Sequence, residues 1–114
     1  MENNKLIEYK GVKYNLVFNL NVMEIIQEEY GTLDKWGSLT DGSKGEVNVK
    51  ALIFGLTEAI NEGVEIENET AEVKKELLTK KQVGRMITEI GLESATKQLN
   101  NAVVDSTKSD EKNA

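Results

Sequence analysis

The stretch KLIEYKGVKYNLVF, residues 5–18, contains two strand-like segments joined by a two-residue link. Lys5 to Tyr9 is predicted to be the first strand. In the second, every second residue from Val12 to Phe18 is apolar, which is the period of a half-buried strand. The link, Lys10-Gly11, ends in a glycine that can adopt the positive φ of a tight turn. The stretch predicts an antiparallel β-hairpin, and because two strands alone are only marginally stable, helices must cover its apolar face.

The residues after the hairpin predict the first helix. Asn21 is predicted to cap it, with Glu24 as the reciprocal partner, and Gly31 provides a left-handed stop. The inward stripe is predicted to be Val22, Met23, Ile26 and Tyr30. Residues 32–36 are predicted to add a short helical turn, and the polar, glycine-rich residues 37–48 are predicted to form a loop.

A stronger helical pattern begins at Val49, and Gly63 is predicted to end it. Its stripe has helical spacing and comprises Val49, Leu52, Ile53, Leu56 and Ile60. The glutamate-rich residues 65–76 that follow are typical of a solvated loop or an exposed helix face.

The last third of the chain predicts two more helices. Thr79 and Gln82 form a capping box that opens a helix running to Gly91, and a final helix begins at Leu92. The predicted fold is therefore of the α+β class, with an N-terminal β-hairpin packed on a bundle of about four helices. Residues 1–104 are predicted to form one domain, and residues 105–114 a disordered polar tail.

Composition narrows the function of this chain of 114 residues, which contains no His and no Cys. Those are the usual zinc ligands and the usual partners of a nucleophile, so we expect neither a metal or cofactor nor an enzymatic activity. A formal charge of −6 disfavours nucleic acid as a partner. We find no signal peptide and no membrane-spanning segment in the sequence, and we expect a cytoplasmic protein that binds other proteins.

Two apolar features are candidates for partner binding. Phe54 lies off the stripe of its helix, so it could face a partner, or the hairpin or the Trp36 segment could pack over it. The final helix carries a stripe that could contact a partner or could equally be core, and this stripe consists of Leu92, Ala95, Leu99, Ala102 and Val103.

The order of these features resembles a known family. Gly11-Val-Lys-Tyr-Asn-Leu-Val-Phe18, a helix ending in Tyr30-Gly31, the helix around Ala51 to Leu56 and the start Leu78-Thr-Lys-Lys-Gln-Val83 follow one another. In this order they resemble the tail assembly chaperones of tailed phages and prophages of Gram-positive bacteria. The resemblance spans residue 5 to about residue 104.

The resemblance implies a role in phage tail morphogenesis. Such a chaperone binds the tape measure protein, prevents its helices from aggregating, helps the major tail tube protein polymerise around it, and is absent from the finished particle. Two alternatives stay open. The protein could be a head–tail connector or tail-completion subunit that remains in the virion, or an acidic regulator resembling an antitoxin.

Overall fold

The computed structural model describes residues 6–43 and 45–113, the last seven of them as backbone only. Two strands and five helices follow one another along the chain, which confirms the predicted α+β class and the N-terminal hairpin. The predicted strand residue Lys5 lies outside the described residues. So do the side chains of residues 107–114 in the predicted tail.

The hairpin pairs β1 (Leu6–Tyr9) with β2 (Val12–Asn15) in antiparallel register. Its turn residues, Lys10 and Gly11, both have positive φ, at 53° and 79°, as the two-residue turn requires. The second strand ends earlier than predicted. The alternation nevertheless continues beyond the strand, since the side chains of Leu16 and Phe18 are buried in the core and Val17 between them is only partly buried.

Helix α1 (Leu20–Tyr30) is capped by Asn19 and not by the predicted Asn21. The side-chain oxygen of Asn19 accepts the Val22 backbone N–H at 3.3 Å. The prediction was wrong because Asn21 is already inside the helix, where its amide donates to Glu62 of a distant helix. The predicted stop at Gly31 is confirmed by its φ of 92°.

Helix α2 (Leu33–Thr40) is longer than the predicted turn over residues 32–36. Thr32 caps it by accepting the Lys35 backbone N–H at 3.0 Å. Four residues assigned by sequence to the loop therefore belong to α2. Trp36 anchors the helix, because its indole is buried and donates to the Ala51 carbonyl at 3.0 Å.

Helix α3 (Val49–Asn68) is the central element of the fold and is buried on most sides. It runs past Gly63, where the sequence predicted its end. A Cβ on Gly63 would lie 2.4 Å from the Asn15 carbonyl oxygen, so this glycine allows β2 to approach the helix closely. The predicted stripe residue Val49 lies in the first turn and is exposed.

Helices α4 (Lys80–Ile90) and α5 (Leu92–Asn113) complete the bundle. The predicted capping box of Thr79 and Gln82 is present, and Gly91 separates the two helices with a φ of 99°. Asp105 and Ser106 lie in α5, so the helix passes the predicted boundary between domain and tail.

Candidate functional site

Phe54 is buried and not available to a partner in this fold. The Tyr30 ring at the end of α1 packs edge-on against the Phe54 ring, with 5.5 Å between the ring centroids. The Lys80 ammonium at the start of α4 lies 4.9 Å from the Phe54 centroid. The alternative of burial is therefore correct. The end of α1 and the start of α4 contribute to this cover, through Tyr30 and Lys80.

Charged groups surround this covered aromatic cluster. Partial burial raises the pKa of Glu58, the nearby charges of Glu65 and Glu62 raise it further, and the Lys80 ammonium opposes them. Burial and the charge of Glu29 also raise the pKa of the Tyr30 phenol. These groups lie at a packed junction of α1, α3 and α4, where they are part of the fold and are not a separate site.

The stripe of α5 is mostly core. Ala95, Leu99 and Ala102 are buried, and Val103 is partly buried against the same core. A partner could reach these three buried residues only if the domain opened. The prediction that they bind a partner is therefore wrong for this fold, and the alternative that they are core is correct. Leu92 differs from the others, because it is the first residue of the helix and 44% of it is exposed.

Leu92 lies in an open groove of about 550 Å³ between the first three turns of α5 and the end of the loop before α3. Val47, which packs against the core from that loop, forms the other apolar part of the groove. The rim is polar and consists of Glu93, Thr96, Lys97, Asn100 and Asn101. The volume falls within the range of small binding sites, roughly 300–1,000 Å³.

The elements on both sides of the groove are held in place by local hydrogen bonds. Asn48 accepts the Ala51 backbone N–H at 2.9 Å and donates its own backbone N–H to Leu39 at 2.8 Å, which fixes the loop beside Val47. On α5, the Thr96 hydroxyl donates to the Leu92 carbonyl at 2.8 Å. The groove is thus formed by ordered backbone on both sides.

Sequence reasoning identified Leu92 but missed the groove. Val47 carried no signal, because one valine in a polar loop fits no strand or helix pattern. Only the packing of the loop against α5 brings it near Leu92.

The described part of the chain contains neither a metal-binding cluster nor a membrane-spanning helix. Among the described side chains, those of residues 6–43 and 45–106, no three acidic groups lie together so that they could hold a metal ion. No helix within residues 6–43 and 45–113 combines the length and apolar character needed to cross a bilayer. No protein-family model, curated protein or solved structure matches the chain.

Proposed function

We propose that the protein is a non-catalytic tail assembly chaperone that acts in the bacterial cytoplasm and binds the tape measure protein during phage tail morphogenesis. The observation that carries the proposal is the groove, in which Leu92 and Val47 present apolar surface outside a core that is already filled. Exposed apolar surface with a polar rim is typical of a site that binds another protein.

The shape and composition of the groove suit a helical client. An amphipathic helix can place its apolar face in such a groove, with a few side chains as anchors. The resemblance to tail assembly chaperones implies a tape measure protein with long helical segments of this kind as the client. The polar rim formed by Glu93, Lys97 and Asn100 keeps the contact small, which favours the release that a chaperone needs.

The charge of the chain supports the same role. A net charge of −6 keeps the chaperone molecules apart when they are bound to an aggregation-prone client. The order of hairpin, Tyr30-Gly31 helix end and Leu78-Thr79 helix start provides further support, since that order carries the resemblance. The major tail tube protein is a second partner in the proposal.

Co-expression tests the proposal directly. The tape measure protein of the same phage is produced with and without this chain, and the soluble fraction and the co-purifying chain are measured. We expect the tape measure protein to remain soluble and bound only when the chain is present. If solubility is unchanged and nothing co-purifies, the proposed function is wrong.

Mass spectrometry of purified particles separates the chaperone from the structural alternative. We expect the tape measure and tail tube proteins in the particles, and none of this chain. Stoichiometric recovery of the chain would identify it as a head–tail connector or tail-completion subunit and would contradict the proposal.

A further inference from the structure

A second concavity, of about 350 Å³, lies where α2 meets α1 and the later turns of α5. It shares no lining residue with the groove at Leu92. Its floor is apolar and includes two aromatic rings, those of Phe18 and Trp36, which stack with 5.7 Å between centroids. The remaining apolar lining consists of Met23, Leu33 and Val103.

The polar lining is dominated by hydrogen-bond acceptors. Asp34 and Asp41 contribute exposed carboxylates. The Ser38 hydroxyl donates its proton to the Lys35 carbonyl, and the Ser106 hydroxyl donates to the Val103 carbonyl, at 3.0 and 2.9 Å. Since both hydroxyl protons are used within the chain, the serine oxygens can offer a ligand only their lone pairs.

The charge of the pocket is negative. None of the described lining residues is basic. The Ser43 backbone N–H donates to the Asp41 carboxylate at 2.8 Å and holds the pKa of that carboxyl below its usual range, so Asp41 stays ionised at neutral pH. A ligand that carries donors and positive charge is therefore complementary to the rim, and an aliphatic stem is complementary to the floor.

We propose that this pocket binds a lysine or arginine side chain of a protein partner, with its methylene stem on the apolar floor and its charged group between Asp34 and Asp41. The volume is at the small end for ligand sites, so it suits one side chain and not a whole helix. This proposal deepens the proposed function, because it gives the client a basic anchor in addition to an apolar face.

Trp36 lines the pocket and is the only tryptophan in the chain, so its indole resonances and fluorescence can be assigned without ambiguity and should respond to a ligand bound there. The probe is butylguanidinium, and the matched neutral compound is butylurea. We expect butylguanidinium to shift the Trp36 signals saturably and the neutral compound to bind about tenfold more weakly, since it lacks charge-assisted hydrogen bonds. An equal response to butylurea would overturn the proposal.

The matched variant is Asp34→Asn combined with Asp41→Asn, in which the new amide oxygen at position 41 can still accept the Ser43 N–H. We expect butylguanidinium to bind this variant about tenfold more weakly than the wild type. The control is Glu72→Gln, at an exposed loop position outside the pocket, which should bind butylguanidinium with wild-type affinity. Unchanged affinity in the double variant would overturn the proposal.

A further comparison tests whether the cation belongs to a protein partner. The double variant should bind the tape measure protein more weakly than the wild type, with a smaller dependence on salt. If the double variant no longer binds butylguanidinium but binds the tape measure protein with wild-type affinity, the pocket does not bind a side chain of this partner. The proposed function would stand in that case. Submicromolar binding of a free diamine would contradict the assignment in the same way.

Discussion

Two glycines on α3 decide how closely its neighbours pack. A Cβ on Gly55 would lie 2.3 Å from Cζ2 of Trp36, and one on Gly63 would meet the backbone of Asn15. Neither glycine has a positive φ, so the requirement is for space and not for an unusual backbone conformation. The absence of these two side chains lets α2 and β2 lie directly against the central helix.

Replacing Gly55 by Ala should therefore destabilise the protein by about 1–3 kcal/mol, the usual effect of overpacking a core. Gly84→Ala is the matched control, because its Cβ would make an ordinary contact at 3.6 Å with the end of the Ile53 side chain. This control should be neutral or slightly stabilising, since Ala is a better helix former. Urea unfolding measures both variants, and equal effects would contradict the account of Gly55.

Glu58 should make stability depend on pH. Because the folded-state pKa is raised above the ordinary value of 4.5, this residue contributes most stability below that pH. The contribution is lost as the pH rises through the folded-state pKa.

Glu58→Gln should accordingly raise the melting temperature at pH 7, and the gain should shrink as the pH falls to 4. Glu72→Gln, at an exposed position, should show no such pH-dependent gain. A gain of the same size at both pH values would contradict the assigned cause.

At the scale of elements, two asparagines of α3 hold residues 69–79, the segment between α3 and α4, to the helix. The Asn61 amide donates to the Leu78 carbonyl at 2.9 Å, and its oxygen accepts the Leu78 N–H at 2.8 Å. Two turns further on, Asn68 pairs with both backbone groups of Lys75 in the same way. The segment is therefore fixed at two points, and Leu78 is placed to start α4.

Asn61→Ala should destabilise the domain by about 1–3 kcal/mol, because it leaves both backbone groups of the buried Leu78 without these partners. Asn21→Ala is the control, since its side chain makes one exposed hydrogen bond and its removal should change stability by less than about 0.5 kcal/mol. If the two variants unfold at the same urea concentration, this account of the segment is wrong.

Elements with local signals were predictable from sequence. The turn at Lys10-Gly11 and the capping box at Thr79 and Gln82 depend on residues a few positions apart, and the structure has both. The cap of α1 was not predictable in this way. Asn19 and Asn21 are both suitable, and both donate to the Glu62 carboxylate more than forty residues away. Only the bond from the Val22 backbone N–H to the Asn19 side chain shows which of them is the cap.

The candidate site was predictable only in part, again because its geometry is nonlocal. Helical spacing identified the α5 stripe but could not show that Ala95 and Leu99 face the core while Leu92 is exposed at the helix start. The groove depends on the loop at Val47, and the second pocket joins α1, α2 and α5. Neither concavity follows from any single segment.

At the scale of the whole molecule, α3 is enclosed by the hairpin and the other four helices. The large apolar side chains at its centre, among them Leu52, Leu56 and Ile60, are almost completely buried. The core is thus complete without a partner. Binding must therefore use surface features, such as the groove at Leu92 and the pocket at Trp36.

The most direct test of the proposed function is the affinity of the tape measure protein for Leu92→Asp, measured beside the melting temperature. Because Leu92 is exposed and at a helix start, the variant should fold normally, yet a charge in the apolar groove should weaken binding by at least about tenfold, or 1.4 kcal/mol. Val73→Asp, at a position that is 85% exposed and outside the groove, should bind like the wild type. Wild-type affinity in a fully folded Leu92→Asp variant would contradict the claim that this groove binds the client.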